Sequence, residues 1–128
     1  AVTELTAIGR DQWPPITMIV FRNYQWGAEK RNSTLWYDDN FIGTELDDKV
    51  SYAGIAQACG LKGVQAHTME MLTTALHTAI KDQMKHGKTT LIEAMINQEL
   101  GEPFRRDAMK APVSVAGISA DDMQVQTA

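Results

Sequence analysis

Chemistry in this chain is best sought where an apolar run stops abruptly. Residues Ile16 to Phe21 (ITMIVF) are apolar or β-prone and give way at Arg22-Asn23 to the polar sequence YQWGAEKRN. Such a run reads as a buried parallel strand that delivers polar groups at its carboxyl end, the edge where open α/β sheets bind ligands. Asn23 suits the place. Its side-chain carbonyl can ligate a hard cation, and neighbouring main-chain carbonyls and amides can meet the metal and a phosphate. The same residue would also serve as a plain turn former, and the sequence leaves both readings open.

Other reactive types offer less. His67, His77 and His86 have no Cys or carboxylate partner at metal-ligand spacing and are assigned no catalytic role. Cys59, the single cysteine, lies in the apolar helical pattern YAGIAQAC and reads as a small core residue rather than a reactive thiol. Neither common glycine-rich phosphate loop is present.

The elements that must position Asn23 follow from periodicity. Residues 3–12 predict a helix with Leu5 and Ile8 inward, ended by Trp13-Pro14-Pro15, and strand 16–21 follows at once. The stretch 23–50 has little periodicity and carries Trp26, Trp36, Tyr37 and Phe41 among charged residues. Long aperiodic stretches inside compact domains tend to be functional, and this one has too many large rings for a disordered linker. It is expected to be an ordered loop over a ligand or against a partner subunit, or else a surface excursion with its own aromatic cluster.

Ser51 predicts the cap of a helix through Cys59, closed by Gly60. Lys62–Ala66 predicts a short strand. Thr68 predicts the cap of a second helix to about His86, with Leu72, Leu76, Ile80 and Met84 inward at four-residue steps and Gly87 after its end. Met69, Met71 and Met84 read as core filler. Strand 89–96 is β-branched and mostly apolar, and Glu93 within it points inward unless the strand lies at an edge. This alternation predicts an α/β fold, an open parallel sheet with helices on both faces, the first and last strands each exposing an edge.

The chain has 128 residues, enough for one domain with a usable core. A formal net charge of −4 supplies no basic field, so nucleic acid is not an expected partner. One cysteine allows no internal disulfide, which fits a reducing, cytoplasmic setting. No run approaches the roughly 18 apolar residues of a membrane span, so no membrane partner is expected.

Four stretches, the first two overlapping, add a family resemblance. The run FRNYQWG at 21–27 resembles the second half of the thiamine-diphosphate and metal-binding motif of acetolactate-synthase-like enzymes. QWGAEKRN at 25–32, FIGTEL at 41–46 and GEPFRRDAMKAPV at 101–113 are similar, in order and spacing, to the carboxyl-terminal diphosphate-binding domain of that family's acetyltransferase branch. The similarity runs from about Glu4 to Val113, implying a partial cofactor domain over 1–113 and a tail over 114–128. It also implies truncation at the amino terminus, because the family's motif opens with a Gly-Asp-Gly triplet upstream of where this chain begins. Half of the cofactor clamp, the Asp metal ligand included, would lie in that missing part.

The resemblance implies thiamine diphosphate and Mg2+ as cofactors. Asn23 would bind the cation through its side chain and Gln25 through its main-chain carbonyl, with Trp26 and Gly27 beside the diphosphate. The branch acts on sulfoacetaldehyde and phosphate, giving acetyl phosphate and sulfite. Its activating glutamate belongs to another domain of a partner subunit, so a homo-oligomer with the site at a subunit interface is expected. Two anionic substrates need basic residues, and Arg105-Arg106, then Lys30-Arg31, are the candidates. Solvated charge, or pairing with Glu102, Asp107 or Glu29, is the alternative for each. Two other functions remain open: a different lyase or carboligase of the same family, and a non-catalytic flavodoxin-like module that binds a partner protein.

Overall fold

The computed structural model describes residues 2–10 and 13–99. It divides into two compact units, Ala1–Asn23 with Asp47–Asn97, and Tyr24–Leu46 with Gln98–Ala128. The tail expected from residue 114 lies outside the described residues.

The first unit is built on strands β1 (Thr17–Arg22), β2 (Lys62–Ala66) and β3 (Thr90–Met95). They form one parallel sheet in the order β1-β3-β2, with Val20 and Gln65 both opposite Glu93. The last strand is therefore central, and the edges belong to the first and second strands. This corrects the expectation that the first and last would be exposed, and with it the edge explanation for Glu93. Burial explains the order, since Thr90 to Ala94 are all buried while β1 and β2 are only partly covered.

Helices cover both faces, as the alternation predicts. Alternate residues of β3 point to opposite sides. Ile92 packs with Ala66, Ala75 and Ala79 beneath Val64, Leu72 and Leu76, which brings in helix α4 (Met69–His86). Leu91 packs with Ala56 and Leu61 on the other face, joined by Leu5 and Ile8 of α1 (Val2–Ile8) and by Tyr52 of α3 (Tyr52–Ala58). Small residues on the helices let backbones approach closely. A Cβ on Gly63 of β2 would come within 2.0 Å of the Ala53 carbonyl oxygen, so only glycine fits where α3 crosses this strand.

The predicted caps are present. Ser51 Oγ accepts from Gly54 N–H at the start of α3, and Thr68 Oγ1 accepts from Met71 N–H at the start of α4. Gly60 and Gly87 take the left-handed conformation, φ +84° and +62°.

The inward stripe of α4 differs from expectation. Buried positions are Ala75 and Ala79, flanked by half-buried Leu72 and Leu76, whereas Ile80 and Met84 are exposed. Four-residue steps advance about 400° against 360° for a full turn, so a stripe drawn at strict i+4 drifts off the buried face. Met69, Met71 and Met84 are likewise exposed rather than core filler.

The second unit holds the aperiodic stretch, and it too differs from expectation. Helix α2 (Gly27–Trp36) occupies ten residues of it. Its sequence GAEKRNSTLW has no apolar stripe and none of its residues is buried, so hydrophobic periodicity could not report it. The rings form no buried cluster: Trp26, Trp36 and Phe41 are exposed. An antiparallel bridge, Gln25 with Glu45, ties the two ends of segment 24–46 together.

Candidate functional site

Strand β1 ends at Arg22, which is buried, and Asn23 follows it half-buried at the carboxyl edge of the sheet. The strand end is fixed on two sides. Ile96 N–H donates to the Arg22 carbonyl at 3.0 Å, extending the parallel pairing with β3 by one step. On the side-chain side, Arg22 Nη1 pairs with Glu93 Oε1, and Nη2 donates to the carbonyls of Asp47 and Asp48, each at 3.1 Å. The guanidinium also lies 5.5 Å from the centre of the Tyr52 ring.

Glu93 is fully buried on the central strand and its carboxylate is saturated with donors. Oε2 accepts from Ala53 N–H at 3.0 Å, Gln65 Nε2 at 3.1 Å and Ser51 Oγ at 3.2 Å. Burial pushes its pKa up, but the amide donors of α3, Arg22 and Gln65 outweigh burial and hold it at about 2. The carboxylate thus joins the end of β1, the first turn of α3 and β2 in one charged network. Sequence reasoning left Glu93 unexplained. The signal was present: two opposite charges, Arg22 and Glu93, stand alone in otherwise apolar strands.

Tyr24, the first residue of the second unit, takes the left-handed conformation with φ 57°. A non-glycine residue there is uncommon, costs on the order of 1 kcal/mol or more, and clusters at functional turns. Gln25 is buried and its Nε2 donates to the Gln98 carbonyl at 2.8 Å. The bridge to Glu45 runs through its neighbours, Trp26 N–H to Thr44 O and Leu46 N–H to Tyr24 O, rather than through Gln25's own amide and carbonyl. Trp26 stands at the N-cap of α2 and makes no side-chain cap, so this helix presents its first-turn amides, beginning with Gly27, without a capping side chain.

Of the basic candidates, Lys30 pairs with Glu45 and lies 5.1 Å from the centre of the Phe41 ring. Its partner is Glu45, where the sequence offered Glu29 as the alternative to an anion role. Arg105 and Arg106 lie outside the described residues. His67, His77 and His86 are exposed. Among the described residues no group of three or more His, Cys, Asp or Glu could hold a metal ion. A cation bound here would take amide and carbonyl oxygens from the protein and the rest of its shell from ligand and water, which suits Mg2+ better than a soft metal.

The model for the carboxyl-terminal TPP-binding domain of thiamine pyrophosphate enzymes matches residues 1–94. The chain belongs to this family. As a thiamine pyrophosphate enzyme domain it is 77% identical over 126 residues to sulfoacetaldehyde acetyltransferase of Roseovarius nubinhibens and to that of Rhodobacter capsulatus. It is 64% identical to a probable sulfoacetaldehyde acetyltransferase of Rhizobium meliloti. In all three the match covers 98% of this chain and 21% of the relative, so the chain spans about a fifth of these proteins' length. Among solved structures, benzoylformate decarboxylase from Polynucleobacter necessarius superposes with a TM-score of 0.68 at 24% identity, over 80% of this chain and 18% of that one. That likeness bears on the fold, which is the open parallel sheet expected from the sequence.

Proposed function

We propose that this domain is the carboxyl-terminal, diphosphate-binding part of an acetyltransferase that converts sulfoacetaldehyde and phosphate to acetyl phosphate and sulfite. The observation that carries the reading is the 77% identity, over 98% of the chain, to sulfoacetaldehyde acetyltransferases. Thiamine diphosphate, when bound, supplies a carbon nucleophile and an electron sink. The residues of this chain hold and orient it.

Asn23 offers its side-chain oxygen to Mg2+ and Gln25 its main-chain carbonyl. Trp26 with Gly27 opens a helix whose amides favour the diphosphate. Arg105 and Arg106 hold the sulfonate or the phosphate as planar forks. The site is proposed to be completed by a second copy of the protein, making the enzyme a homo-oligomer, and to work in the cytoplasm. No helix among the described residues is long and apolar enough to cross a membrane.

The test is sulfite release from sulfoacetaldehyde by the full-length protein, with and without phosphate, thiamine diphosphate and Mg2+. Turnover that needs all three supports the reading; cofactor binding without sulfite release would leave a sibling carboligase. Replacing Arg105 and Arg106 together by Ala should raise KM for phosphate or sulfoacetaldehyde, and unchanged values for both would remove their anion role.

A further inference from the structure

Arg22 and Glu93 form a buried ion pair in the first unit, away from any surface a substrate could reach. Both side chains are almost wholly buried, at 5% and 0% exposure. A buried ion pair is weak support for stability, because desolvating two charges offsets much of their attraction. A pair of apolar side chains would fill the same sheet face at less cost, so the contacts of this pair point to another role.

Those contacts converge on one place. The chain leaves the first unit after Asn23 and returns to it at Asp47. At the first point the main-chain carbonyl of Arg22 is bound by Ile96 N–H, and at the second the Arg22 guanidinium grips the carbonyls of Asp47 and Asp48. Glu93 orients that guanidinium and also binds Ser51 and Ala53, which open α3 directly after the returning segment. The Tyr52 ring lies beside the guanidinium.

We infer that Arg22 and Glu93 are positioning residues for the cofactor, fixing the strand end from which Asn23 presents its oxygen to the cation. This rests on the proposed role of Asn23. Partners behind a metal ligand typically govern affinity by about tenfold to hundredfold, because they set the ligand's orientation before the metal arrives.

The experiment uses the full-length protein freed of cofactor and measures Mg2+–thiamine diphosphate affinity calorimetrically, together with the Tm. Arg22→Lys keeps a charge opposite Glu93 but loses the fork that reaches Asp47 and Asp48. It should weaken cofactor binding about tenfold or more, with KM for sulfoacetaldehyde and phosphate at saturating cofactor unchanged. Leu72→Ala, on the opposite sheet face, should lower the Tm at least as much and bind cofactor as the parent does. If Arg22→Lys does not fold, Tyr52→Leu, which removes the ring beside the guanidinium and keeps an apolar side chain against the Leu91 cluster, carries the same comparison.

A folded Arg22→Lys or Tyr52→Leu that binds cofactor like the parent overturns the inference, as does equal weakening in Leu72→Ala. A parent protein that binds no thiamine diphosphate sinks the proposed function itself, and this inference with it.

Discussion

At Glu93 a carboxylate with no access to solvent stays ionised because amide donors, Gln65 and Arg22 surround it, and its pKa is held at about 2. The folded value lies below the ordinary carboxylate value of 4.5, so the group stabilises the fold above that value and loses its contribution as pH falls toward 2. The size is about 3 kcal/mol. Urea unfolding between pH 6 and about pH 2 should show most of this loss, and a Glu93→Gln variant should show a shallower dependence over the same range; parallel curves would contradict it. Asn23 is argued from its oxygen alone. Asn23→Ala in the full-length protein should weaken Mg2+ binding by about tenfold or more, read by metal titration of activity and by calorimetry.

At the scale of elements, legibility followed the physical signal. Caps at Ser51 and Thr68 and left-handed glycines at 60 and 87 are local chemistry, and all four are where the sequence puts them. Helix α2 buries no residue, and its few apolar residues left no period to detect. Strand order was illegible for a different reason: alternation fixes parallel pairing but not which strand is central, and the continuous burial of Thr90 to Ala94 decides it. The close crossing of α3 over β2 was equally invisible, since Gly63 reads in sequence only as a weak strand residue. Gly63→Ala should cost about 1–3 kcal/mol or more, because its new methyl meets backbone rather than a yielding side chain. Ile92→Ala should cost about 2–5 kcal/mol, and Met84→Ala, on the exposed side of α4, less than about 0.5 kcal/mol. Chemical unfolding of the three variants checks the ranking, and a Met84 loss comparable to that of Ile92 would mean the wrong face of α4 is buried.

For the molecule as a whole, the site divides by how much the chain itself can say. The strand-to-turn break around Asn23 was readable from composition, and the roles proposed for Gln25, Trp26 and Gly27 come from the family resemblance alone. The charged network behind Asn23 was not readable, because Arg22, Asp47, Glu93 and the start of α3 come together only when β3 enters the middle of the sheet. Edge strand β1 exposes Ile19 and Phe21, the kind of apolar surface that packing against further structure would cover. A domain spanning a fifth of its relatives' length is accordingly best tested inside the full-length protein.

The most direct measurement is the joint yield of sulfite and acetyl phosphate from sulfoacetaldehyde in one reaction of that protein with phosphate, thiamine diphosphate and Mg2+. Equal yields of the two products, both abolished by omitting the cofactor and both lost in Asn23→Ala at limiting Mg2+, are the predicted result. Sulfite without acetyl phosphate, or turnover indifferent to thiamine diphosphate, would contradict the assignment.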